Sequence, residues 1–294
     1  MLAELVDRGI RADRVYGASV GAVNAAAYSA DPSVEGMKKI EDVWVNLGPD
    51  DIFPKTRVHG PWTFFQQRES VYSNSGLRKV LESGISVDRI EDTVIPLEVV
   101  ATSLVDGSER WISSGPIVDA VLASSAIPGI FPPVEIDGEL LIDGGVVNNV
   151  PISRALAAGV TTIYVLLCGP TRHTPRMGKR PIESVISAFF TGVHSRFSRE
   201  LAEMPKGVDL FVFSGRDRPI ENFRDFGSSL AMVEEGRQEV RDVLDGLVVP
   251  SQTDAPSQTD APSQTDAPSQ TDAPSQTDAP PQPDAQSQPD DEVS

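Results

Sequence analysis

Apolar residues fall at positions 2, 5, 6 and 10, the spacing of one helical face, and Gly9 suits the place just past a helix end. Val15 and Tyr16 in "DRVYG" read as a short strand. It runs into Ala-rich "AVNAAAYSA", which favours helix, and then into "SVEGMKKIEDVWVNL", amphipathic with Ser33 as its cap. The period is lost across the aromatic stretch "GPWTFFQQRESVYS" and returns in "SNSGLRKVLESGI", a helix. "IPLEVVATSLV" and "ERWISS" have strand character, and "IVDAVLASSA" is helical until the prolines of "IPGIFPPV" break it. "VEIDGELLID" predicts a hairpin turning at Asp137-Gly138. A helix "PISRALAAG", a strand "TTIYVLLC", a helical stretch over 181–204, a strand "VDLFVFS" and a closing helix over 228–246 complete the pattern. Strands alternate with helices, which predicts an α/β fold on a largely parallel sheet.

The last 44 residues change this picture. From Ser251 the hexapeptide SQTDAP repeats five times up to Pro280, without a basic or aromatic residue. Such a segment cannot bury enough apolar surface to offset its ordering entropy, so 250–294 is expected to be a disordered tail behind a folded domain of 1–249. The tail holds nine of the 43 acidic residues and none of the basic ones; the formal charge of −18 therefore divides evenly between tail and domain. An acidic domain excludes nucleic acid as a partner and recruitment to anionic lipid by charge alone. Cys168, the single cysteine, lies in an apolar run and is expected to be a buried thiol. The three histidines (His59, His173, His194) are far apart and show no metal-ligand spacing. No metal or cofactor is expected. No apolar run nears the ~18 residues of a membrane span and no signal peptide is evident, so a cytoplasmic location is expected.

Candidate chemistry starts at "VYGASVGAVN". Gly17 and Gly21 flank Ser19 in a Gly-x-Ser-x-Gly motif, which alone arises by chance in roughly one chain in ten of this length. Here it follows a strand and opens a helix, the context of a nucleophile elbow. The glycines allow a strained turn, and the helix N-terminus favours negative charge at the serine. A structural turn is the other reading. A serine nucleophile needs a base. Asp143 ends a strand just before Gly144 and Gly145, free to face a neighbouring strand end; the alternative is an aspartate in an ordinary turn. Asp137, at the hairpin turn, is not a candidate.

Together "GASVG" and "ASSAIPGIFPPVEIDGELLIDGGVVNNVP" resemble the patatin-like phospholipase family, which joins Gly-x-Ser-x-Gly to a distant Asp-Gly-Gly or Asp-Gly-Ala. "SNSGLRKVLESGI", "IPLEVVATSL" and "TIYVLLCG" are similar to its bacterial members, and the resemblance runs to about residue 249. It implies a three-layer α/β sandwich and a Ser-Asp dyad without histidine, Ser19 the nucleophile and Asp143 the base. It implies hydrolysis of a lipid or small ester through an acyl-enzyme, with peripheral membrane contact. The family also places a strand and a glycine-rich oxyanion loop ahead of the first helix. "MLAELVDRGI" resembles the middle of that helix, so either the first strand and loop lie upstream of Met1, the favoured reading, or the gene product is degenerate; both leave the Val20 N–H as a substitute donor. On that reading the chain is poorly active and "DRVYG" lacks a neighbour on one side.

Two other functions fit the same residues. One is a catalytically impaired protein that keeps the fold for binding. The other is an α/β-hydrolase triad completed by His173 or His194, whose chain order after Asp143 is right but whose segments read as loop and helix surface. Trp62, Phe64 and Phe65 fit a satellite core under a loop better than a lipid-facing lid. Head-group preference, chain-length preference and oligomeric state are not legible.

Overall fold

The computed structural model describes residues 1–54, 70–169, 192, 196–215 and 226–246. All three histidines, the aromatic cluster of Trp62, Phe64 and Phe65, the SQTDAP repeats and most of the stretch 181–204 lie outside the described residues. The chain divides into a unit of Met1–Ala255 and a second of Pro256–Ser294; every described residue belongs to the first.

Elements follow the hydrophobic pattern closely. The helices are α1 (Leu2–Asp7), α2 (Val20–Ala30), α3 (Val34–Asn46), α4 (Pro49–Ile52), α5 (Ser75–Gly84), α6 (Ile117–Ser124), α7 (Gly145–Asn148), α8 (Ile152–Ala157), α9 (196–202) and α10 (Ser229–Leu244). The strands are β1 (Val15–Gly17), β2 (Leu97–Ser103), β3 (Glu109–Ile112), β4 (Val134–Ile136), β5 (Glu139–Asp143), β6 (Thr162–Leu167) and β7 (Asp209–Ser214). Ser33 caps α3 by accepting from the Gly36 N–H at 3.0 Å. Asp137 and Gly138 both adopt positive φ, 53° and 80°, as the two-residue turn between β4 and β5 requires.

β1 pairs parallel with β2, and β6 parallel with β7, each pair joined through helices. The remaining pairings are antiparallel: β2 with β3, β2 with β5, and β4 with β5. The register decides where the strand ends meet. Val99 pairs with both Gly17 and Ile112, and Ala101 with both Arg110 and Asp143. A strand residue has one neighbour on each side, so β3 lies on one side of β2 while β1 and β5 share the other. β1 and β5 run along that side from opposite directions, and their carboxyl ends stop two β2 residues apart, a gap of ~7 Å. Among the described residues, the other edge of β1 pairs with no strand.

Helices cover both faces of β2. Leu97, Val99 and Ala101 pack with Ala22, Ala25 and Ala26 of α2, Leu77 and Leu81 of α5, and Ile117 and Val121 of α6. On the other face Glu98 receives Arg154 of α8 at 2.6 Å, and Arg154 also stacks over Trp111 of β3. Val99, Val100 and Ala101 are wholly buried, as a strand covered on both faces must be. Arg237 of α10 grips Glu41 of α3 and Asp7 of α1, tying the outer helices together.

Cys168 departs from expectation. It falls one residue past the end of β6 and the residue is exposed rather than buried, because the chain is leaving the sheet there. Neighbouring atoms still desolvate the thiol and push its pKa up, which favours the protonated form.

Candidate active site

Ser19 stands between β1 and α2, in the turn that caps the helix. Its backbone is held at φ 53° and ψ −130°, a left-handed region that costs a non-glycine residue about 1–3 kcal/mol. The turn is this sharp because β1 runs straight into a helix packed against its own strand. A Cβ at Gly17 would lie 2.7 Å from the Ala22 Cα and 2.9 Å from the Ala25 Cβ, so only glycine lets strand and helix approach. Gly21 differs: a Cβ there would meet nothing within 4 Å, so its place in the motif is not a packing requirement.

Asp143 ends β5 and is completely buried. Its Oδ2 accepts the Ser19 Oγ–H at 2.6 Å, and its Oδ1 accepts the Gly145 N–H at 2.7 Å. Residues 124 apart in sequence thus meet where β1 and β5 end head to head. Burial is the largest influence on the carboxyl and pushes its pKa up to about 7; the Ser19 and Gly145 hydrogen bonds pull the other way. Ser19 itself is half-buried and Val20 exposed, whereas the carboxylate is wholly buried.

Gly144 is needed for space. Its φ is −65°, but a Cβ would lie 2.0 Å from the Val100 carbonyl oxygen. The two glycines after Asp143 therefore do different things: Gly144 lets the chain cross β2, and Gly145 opens α7 and turns its N–H onto the carboxylate. Sequence reasoning missed α7, a helix of four residues too short to leave a periodic signal.

It also missed the residues around the pair. Ser124 Oγ accepts the Ser19 N–H at 3.1 Å and donates to the Val100 carbonyl at 2.7 Å. Ser125 Oγ donates to the Ser19 carbonyl at 3.1 Å, and Thr102 Oγ1 to the Asp143 carbonyl at 2.8 Å. The text "ASSA" was visible, but nothing local distinguishes these hydroxyls from others at a helix end. At the start of α2, the Val20 and Gly21 N–H groups make no hydrogen bond among the described residues, as expected for the first turn of a helix. Among the described residues no group of three or more His, Cys, Asp or Glu side chains could hold a metal ion, and no helix is long and apolar enough to cross a membrane.

The glycine contrast makes a stability prediction. Gly17→Ala and Gly144→Ala should each cost about 3 kcal/mol or more, because the blocking atoms are backbone or a packed neighbour. Gly21→Ala should be neutral or stabilising by up to ~1 kcal/mol, since it replaces a helical glycine in open space. Thermal melts of the three variants check this; equal losses in all three would refute it.

The family model for patatin-like phospholipase matches residues 1–156. An uncharacterized NTE family protein of Mycobacterium tuberculosis is 46% identical over 83 residues, 27% of this chain and 22% of that protein. Patatin-like phospholipase domain-containing protein 6 of Homo sapiens is 27% identical over 176 residues, 59% of this chain and 12% of that one. Lysophospholipase NTE1 of Candida glabrata is 29% identical over 177 residues, 58% of this chain and 9% of that one. The chain thus spans about a fifth or less of the length of these curated relatives.

Proposed function

The chain belongs to the patatin-like phospholipase family, and from that premise we propose that it is a lipid acyl-ester hydrolase with Ser19 as nucleophile and Asp143 as base. The observation that carries this reading is the 2.6 Å hydrogen bond from the Ser19 hydroxyl to a fully buried carboxylate.

The chemistry follows from the two oxygens of Asp143. Oδ1 is occupied by the Gly145 N–H, so Oδ2 takes the proton as Ser19 Oγ attacks the ester carbonyl. An ordinary aspartate, with a pKa near 3.9, is a poor base for this step. Burial raises the basicity of this one by roughly three pH units, to about 7. The tetrahedral oxyanion sits at the N-terminus of α2, where the Val20 N–H has no acceptor among the described residues and the helix dipole favours negative charge. Protonated Asp143 returns its proton to the leaving alkoxide. Water, deprotonated by the same carboxylate, then releases the fatty acid and restores Ser19. The substrate is a lipid or small carboxylic ester, met at a membrane surface by peripheral contact from the cytoplasmic side.

A fluorophosphonate probe tests the reading. One adduct per chain, located at Ser19 and absent from Ser19→Ala, is expected, together with hydrolysis of p-nitrophenyl esters. His59→Ala, His173→Ala and His194→Ala should each keep both properties. A folded histidine variant as inert as Ser19→Ala would replace the dyad with a triad. A folded wild-type chain that neither labels nor hydrolyses would favour a binding protein on the same scaffold.

A further inference from the structure

The carboxyl end of α6 contacts both members of the pair at once. Ser124 is wholly buried and its hydroxyl is fully committed, accepting from the Ser19 N–H and donating to the Val100 carbonyl. Ser125, also buried, donates to the Ser19 carbonyl. The nucleophile's backbone is therefore held at its N–H and its C=O by two consecutive side chains. The same stretch holds the base through its own backbone: the Ser124 carbonyl accepts the Gly144 N–H at 3.1 Å, and the Ala126 carbonyl accepts the Asp143 N–H at 3.0 Å. Residues 124–126 thus connect to the Ser19 turn through two side chains and to the Asp143 turn through two main-chain carbonyls.

This arrangement answers a physical need. Ser19 carries positive φ with a Cβ, so its conformation persists only where its surroundings impose it. Its N–H lies at the helix cap, without an intrahelical acceptor. A carboxyl end of a helix has the opposite surplus, unpaired carbonyls, and these receive the N–H groups of Asp143 and Gly144. A hydroxyl can donate and accept, so serine at 124 can link a donor on the elbow to an acceptor on β2, which a backbone group or an alanine could not.

We propose that Ser124 and Ser125 are positioning residues that hold Ser19 in its strained turn and set the alignment of its Oγ with Asp143. The proposal rests on the Ser19–Asp143 reading given above. Both hydroxyls are spent on backbone groups, so removing one should lower the rate of bond making with little effect on substrate binding.

Ser124→Ala, Ser125→Ala and Ser125→Thr test this, assayed well below their melting temperatures. For each alanine variant kcat should fall about 10–100-fold with KM within about twofold, the signature of lost alignment. The rate of fluorophosphonate inactivation should fall in parallel, since it reads the serine without the substrate. Ser125→Thr keeps the hydroxyl and should restore most of both rates. Should Ser124→Ala fail to fold, the Ser125 pair of variants decides alone. Lower melting temperatures with unchanged kcat and inactivation rates would overturn the proposal, leaving a structural bond only; the proposed function would still stand if Ser19→Ala is inert. Hydrolysis that survives Ser19→Ala would overturn both.

Discussion

Ser19→Ala is expected to lower kcat/KM for p-nitrophenyl esters by about four orders of magnitude or more, and Asp143→Asn by about 10³–10⁴-fold. The first removes the atom that forms the acyl-enzyme in the proposed mechanism. The second leaves the packing unchanged: asparagine can still accept the Gly145 N–H through its oxygen and face the Ser19 hydroxyl with its amide. What it cannot do is take a proton. The reaction then begins from a neutral hydroxyl with no acceptor, since among the described residues Asp143 is the only partner of the Ser19 hydroxyl. In the parent protein kcat/KM should rise with pH and level off with a midpoint near 7, because Asp143 must be ionised to act and its pKa is about 7. Comparable rates for Asp143→Asn and the parent, measured on folded protein, would remove Asp143 from the mechanism.

The same substitution should make the protein more stable in alkaline buffer. The folded pKa of Asp143, about 7, lies above its ordinary 3.8. Between those values the folded state holds a proton that the unfolded chain has released, so stability declines as pH rises through this window and reaches its low plateau above about 7. At that plateau the carboxylate is buried and, among the described residues, has no cation beside it; there its compensation is two hydrogen bonds. The asparagine side chain does not titrate. Asp143→Asn should therefore match the parent near pH 4 and exceed it above pH 7 by a few kcal/mol, roughly 1.4 kcal/mol for each unit of raised pKa. For a domain of this size that is on the order of 5–15 °C in melting temperature. Calorimetry of both proteins at pH 4.5 and 8.5 reads the difference. A gap that stays constant with pH would mean that Asp143 is not buried with a raised pKa. A gap that opens as described would mark the site as a place where stability is given up for basicity.

How much of this was legible in the residues varies with distance along the chain. The strand that leads into Gly-x-Ser-x-Gly, the helix that follows it, the Ser33 cap and the Asp137-Gly138 turn were readable because each depends on contacts within a few residues. So was the family, once "GASVG" and "IDGG" were set beside each other. Other features could not be read this way. Gly17 and Gly21 look equivalent in the motif, yet only Gly17 faces a helix that leaves no room for a Cβ. Cys168 sits in a run that reads as buried strand, but β6 ends one residue too early to cover it.

By itself the sequence determined the local grammar of this protein: the order and type of its longer helices and strands, which serine stands in a strained turn, and which aspartate precedes two glycines. Those outcomes follow from backbone sterics, side-chain period and capping, all short-range. Tertiary structure alone decided that β1 and β5 lie on one side of β2 and end head to head, since the pairing of Val99 with Gly17 and of Ala101 with Asp143 is set by which faces are buried together. That register brings Oγ to Oδ2, closes Asp143 off from water and so raises its pKa, and places Ser124 and Ser125 against the Ser19 backbone. Burial and alignment are properties of surroundings assembled from segments more than a hundred residues apart, and no window of sequence contains them.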